Sequence, residues 1–150
     1  MKKSLIALAL LLTSTSLAHA ADIEISNGWV KPSMPGKNLT AAFFDLKNNS
    51  GKTKVLRSVQ ASEGVAEIHN TIEENGVMKM RHMDSVELPA GGSVSFKPRA
   101  KHIMLMELPQ PLKEGDKVLL TLQFDGNESE KITLPVMAEA APAESEHSHH

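Results

Sequence analysis

The chain has 150 residues, a length that fits one domain, with 16 basic and 18 acidic side chains, seven histidines, eight methionines and neither cysteine nor tyrosine. Its net charge of −2 argues against a nucleic-acid-binding surface. Without cysteine there is no disulfide, no thiolate metal site and no residue to carry a lipoprotein's lipid, so a packed core must hold the fold.

In chain order, Lys2 and Lys3 precede a continuous apolar run from Leu5 to Leu12, and Ala18-His19-Ala20 forms a small-x-small site. Residues 1–20 therefore read as a secretory signal peptide cut after Ala20. The run is too short to span a bilayer, and the competing reading is a retained anchor. The mature chain, from Ala21, carries a net charge of about −4 and has no other segment approaching membrane length. Such an export signal implies a bacterial periplasm, an oxidising compartment in which a free thiol would be at risk.

From residue 21 to 137 the pattern is β almost throughout. Strands are expected at 22–30, 40–48, 53–60, 65–72, 77–83, 93–97, 101–108, 117–125 and 129–136. Turn signals separate them, among them Pro35-Gly36, Asn48-Asn49-Ser50-Gly51, Asn75-Gly76, Ala90-Gly91-Gly92 and Asp125-Gly126-Asn127. No window of ten residues carries a helical period. Short strands at this spacing indicate a sandwich or a small barrel. Residues 138–150 have no core-forming pattern and read as a disordered tail. Its His147, His149 and His150 either capture metal or are incidental to a solvated segment.

Strand alternation sorts the faces. Val118, Leu120, Leu122 and Phe124 share one side of their strand. Ile103 and Leu105 lie opposite His102, Met104 and Met106, and Ala66, Ile68 and Ile72 lie opposite Glu67, His69 and Thr71. Both histidines thus fall on the face away from the aliphatic residues, which places a site at the surface or rim.

Spacing then joins them to two methionines as His69-x10-Met80-x21-His102-x-Met104. His102 and Met104 project from one face of one strand. Met80 joins His69 on one face if the intervening turn has an even number of residues. A two-residue Asn75-Gly76 loop pairs Met80 with Thr71, a four-residue loop pairs it with His69, and a three-residue loop separates them. Thioether sulfur is a soft, neutral donor that selects copper(I). Zinc prefers thiolate, imidazole and carboxylate, calcium and magnesium require oxygen, and a blue-copper centre needs cysteine. Five of the eight methionines lie between residues 78 and 106. A lone methionine or histidine on a strand is packing or surface, whereas this joint clustering points to metal. Met78, His82 and Met106 are further candidates, divided between ligand, ligand support and packing. Met34 and Met83 read as packing or surface.

The spacing, with the stretches "GWVKPSMPGKNLTAAFFDLKN", "EIHNTIEENGVMKM" and "GGSVSFKPRAKHIMLMELPQPLKEGDKVLLTLQF", resembles the periplasmic copper(I) chaperone family PCuAC over roughly residues 21–137. That resemblance implies a cupredoxin-like Greek-key β-sandwich of about eight to nine strands, binding one copper(I) through His69, Met80, His102 and Met104. It also implies delivery of copper to cytochrome oxidase, alone or beside a thiol-bearing copper chaperone. Some members carry a His- and Met-rich tail that captures copper(II). Here the tail has histidines but no methionine after Met137, so only a weaker version carries over. No nucleophile–base pair stands out, so a chaperone rather than an enzyme is expected. A copper-dependent redox enzyme and a structural or adhesive sandwich with packing methionines are the rival readings.

Overall fold

The computed structural model describes residues 22–138. Ten strands form: β1 Ile23–Val30, β2 Thr40–Asn48, β3 Lys54–Ala61, β4 Val65–Glu74, β5 Val77–His82, β6 Val86–Leu88, β7 Ser93–Phe96, β8 Lys101–Met106, β9 Lys117–Phe124 and β10 Glu128–Pro135. They pack as an all-β sandwich. The first sheet runs β1-β2-β8-β4-β5, with β7 also paired to β2, and the second runs β10-β9-β3-β6. All the strand pairs within the sheets are antiparallel. The bridge between Val30 and Val136 ties the two sheets at one edge.

Nine expected strands are present within one or two residues. The tenth, β6, was not expected. It has only three residues, too few to show alternation, and its pairing with β3 comes from tertiary contact. Val86 and Leu88 nevertheless point into the core. At the other end, β8 stops at Met106 rather than 108, because Glu107 adopts a left-handed φ of 52° that ends the extended run. The segment read as the turn Asp125-Gly126-Asn127 is a short 3₁₀ turn between β9 and β10.

The core lies between the sheets. Val118, Leu120, Leu122 and Phe124 enter it from β9, Ile103 and Leu105 from β8, and Ile68 from β4. Phe44 stacks on Phe96 with ring centroids 4.8 Å apart. Fully burying one such aliphatic or aromatic side chain contributes about 1.5–3 kcal/mol, which without disulfides is what holds the sheets together. Asn48 is a buried polar exception. Its amide donates to the carbonyls of Lys52 and Leu88, and its side-chain oxygen accepts from the Ser50 backbone, so the β2–β3 turn is closed from inside.

Two details of backbone position the outer face of the first sheet. Gly64, with φ 72°, starts β4 so close to β8 that a Cβ there would lie 2.3 Å from the Met106 carbonyl oxygen. Asn75 and Gly76 both have positive φ, 53° and 77°, and make the two-residue turn between β4 and β5. This is the left-handed geometry that matches the twist of a hairpin.

Candidate metal centre

The two-residue turn settles the register left open by spacing. Thr71 pairs with Met80, and His69 pairs with His82. On the other side of β4, His69 pairs with His102 and Glu67 with Met104. Directly paired residues share a face. His82, His69 and His102 therefore form a row across β5, β4 and β8, on the side away from the core. The His69 ring lies 5.8 Å from that of His82, edge-on, and 5.9 Å from that of His102.

The methionines flank this row on opposite sides. Met104 stands one step toward the Glu67 end of β4, and Met80 one step toward the Thr71 end. His69, His102 and Met104 thus share one corner, while Met80 joins His82 and His69 at the other. At about 3.3 Å per residue and about 4.8 Å per strand, Met80 and Met104 are the pair the register separates most, about 16 Å between Cα atoms on a flat sheet. Met78 pairs with Glu73 and Met106 with Val65, each a further step from the histidine row. His147, His149 and His150 lie outside the described residues, as do residues 1–20, which were expected to be a signal peptide.

Burial differs across the row more than strand alternation implied. His102 is only 5 % exposed, although it does not face the core. Its strand runs between β2 and β4. Trp29 and Phe43 pair across β1 and β2 with rings 4.8 Å apart, and Phe43 lies on the same face as Ala41, the partner of Met104. The outer face is therefore covered over its β1–β2–β8 half and open over β5, where Met78 and Met80 are both more than half exposed.

Local structure orients the two inner rings. The turn after β7 brings the Ala100 carbonyl back over β8, with Arg99 at φ 65°. That carbonyl accepts from the Thr71 amide and from His102 Nδ1 at 2.9 Å. The bond leaves His102 Nε2 as the free ring nitrogen. His69 is held from the opposite nitrogen: its Nε2 donates to Glu67 Oε2 at 2.9 Å, and its Nδ1 is buried without a partner. Glu67, the Ala100 carbonyl and the Trp29–Phe43 pair had no role in the sequence reading. Only Glu67 carried a signal, two residues before His69 on one strand face.

The chemistry of the donors is selective. Among the described residues, no three His, Asp or Glu side chains are arranged to hold a metal by themselves. Imidazole and thioether side by side on one face are a donor set that suits a soft monovalent ion. Near the open end, Lys79 and Arg81 hydrogen-bond Glu74 and hold its carboxyl below the ordinary value of 4.5. They fasten the hairpin that carries Met80.

Comparison with known proteins agrees with this architecture. Residues 23–136 match the family "Putative lipoprotein LpqE-like". A relative in Leifsonia xyli subsp. xyli, "Putative lipoprotein Lxx21020", is 34 % identical over 120 residues, covering 79 % of this chain and 71 % of its own length. The chain belongs to the LpqE-like family, which is of the PCuAC type, as the sequence resemblance implied. Among solved structures, the copper-bound PCuAC domain from PmoF2 superposes with a TM-score of 0.66 at 18 % identity, covering 80 % of this chain and 96 % of that domain. The copper(I) form of DR1885 from Deinococcus radiodurans does so with a TM-score of 0.58 at 25 % identity, covering 75 % and 76 %.

Proposed function

We propose that this protein is an exported copper chaperone that holds one copper(I) on the outer face of its first sheet and passes it to a partner by ligand exchange. The observation that carries this reading is the meeting of three strands at His69. On one face, His102 and Met104 lie to one side of His69 and Met80 to the other, and His69 Nδ1 is buried without a hydrogen-bond partner. The likeness to copper-binding PCuAC domains and to copper(I)-loaded DR1885 supports the choice of ion.

In this reading His69, His102 and Met104 form the anchored part of the site. Met80 is the fourth donor, reaching over His69 from the edge strand. Neutral ligands leave the ion its single positive charge, so thiolates or imidazoles of an acceptor can replace them stepwise. Met80 lies on the open side and leaves first, with His82 beside it as the next donor in line. The acceptor is a copper-requiring protein such as a cytochrome oxidase subunit, or a thiol-bearing chaperone upstream of one. The leader at residues 1–20 sends the chain to the periplasm. No helix among the described residues is long and apolar enough to cross a membrane. The tail histidines His147, His149 and His150 are a separate, weaker site for copper(II).

Titration of the mature chain with copper(I) against a chromophoric chelator tests the reading. One tight equivalent is expected, strongly weakened in His102→Ala. Truncation after Met137 should keep it while removing any copper(II) bound by the tail. Unchanged affinity in both His102→Ala and Met80→Leu would sink the site.

A further inference from the structure

The two inner histidines are held by opposite ring nitrogens. His102 donates from Nδ1 to the Ala100 carbonyl, and His69 donates from Nε2 to the Glu67 carboxylate, each at 2.9 Å. A nitrogen that carries a donated proton has no lone pair for a metal. The partner of that proton therefore selects the ligating atom. For His69 the remaining atom is Nδ1, the one buried side-chain nitrogen or oxygen without a hydrogen-bond partner among the described residues. A buried unpaired acceptor costs free energy unless something fills its demand, and a bound cation does so.

We infer that Glu67 is a positioning residue for metal capture: it holds the Nε2–H of His69, so that His69 ligates copper(I) through Nδ1 while His102 ligates through Nε2. The inference rests on the copper reading above and adds to it a ligating atom and a residue. Glu67 is two residues before His69 on the same face of β4 and directly opposite Met104, next to the compact corner of the site. Its carboxylate is a hard donor, poorly matched to copper(I). Its part is to hold the Nε2–H and fix the ring, so that Nδ1 is the atom left for the ion.

The test uses the mature chain labelled with nitrogen-15 and long-range proton–nitrogen spectra of the imidazoles. Before metal is added, His69 should show a protonated Nε2 and a bare Nδ1. One equivalent of copper(I) should shift His69 Nδ1 and His102 Nε2. Glu67→Ala should broaden the His69 Nε2 proton through exchange and weaken copper(I) binding by about 10–100-fold. Glu67→Gln keeps an acceptor oxygen and should recover most of that loss. A copper-induced shift at His69 Nε2 would overturn the inference, as would wild-type affinity in Glu67→Ala. A Gln variant as weak as the Ala variant would assign the effect to charge and overturn the positioning role. Failure of the copper reading itself looks different, because His102 would then show no shift either.

Discussion

β8 and β5 carry mirror-image donor pairs to the same face of one sheet, yet their surroundings are opposite. β8 presents His102-x-Met104 between two neighbouring strands, with His102 buried. β5 presents Met80-x-His82 from the sheet edge, paired only with β4 and exposed at every residue. The same two side-chain types therefore serve different ends. In the proposed site, the inner-strand pair is the part enclosed by neighbours and the edge-strand pair the part open to an acceptor.

If β8 is the fixed arm, the largest loss follows from His102→Ala. Copper(I) affinity should fall by more than the roughly 10–100-fold typical of removing an outer-shell partner, measured by chelator competition. Thermal stability should fall as well, since a buried ring and its bond to Ala100 are lost. Next, Met104→Leu and Met80→Leu remove the same atom from the two arms. Met104→Leu should weaken equilibrium binding about tenfold more than Met80→Leu, a difference of about 1.4 kcal/mol. Met80→Leu should instead show mainly in the rate of transfer to a thiol acceptor, followed by stopped flow. Equal losses of affinity in the two variants would erase the distinction between the arms.

A smaller effect comes from the turn that sets the β5 register. Gly76→Ala places a side chain at φ 77° and should cost about 1–2 kcal/mol. Hydrogen exchange should locate that loss in β4–β5 and leave β8 protected. Smallest is a pH effect on the hairpin. Lys79 and Arg81 lower the folded pKa of Glu74 from its ordinary value of 4.5, so their contribution is complete above about pH 4.5. It should fade as pH falls through the lowered folded value, and Glu74→Gln should remove this acid sensitivity. Asp125, lowered by Arg57 of β3, should keep its contribution complete down to its ordinary 3.8 and lose it as pH falls through the lowered folded value. Amide exchange in β4–β5 and in β3–β9 can separate the two.

Much of this arrangement was legible in the chain. Alternation in "DKVLLTLQFD" and "KHIMLMEL" identified the core faces, because strand side chains alternate whatever the fold. The Asn75-Gly76 pair predicted a tight turn through its left-handed preference. The position of β6 was not legible, since three residues carry no period. The burial of His102 was not legible either. It depends on a strand more than fifty residues earlier in the chain, β2, lying beside β8.

By itself the sequence determined the residue types, their spacing and the shared faces within each strand, while the side on which Met80 falls waited on the length of the turn. Those follow from side-chain chemistry and a two-residue period, both local properties. Only the tertiary structure decided that His69 stands between His82 and His102, that Met80 and Met104 approach from opposite sides, and that one arm is buried while the other is open. Those outcomes depend on which strands become neighbours, and long-range packing of the aliphatic core makes that choice.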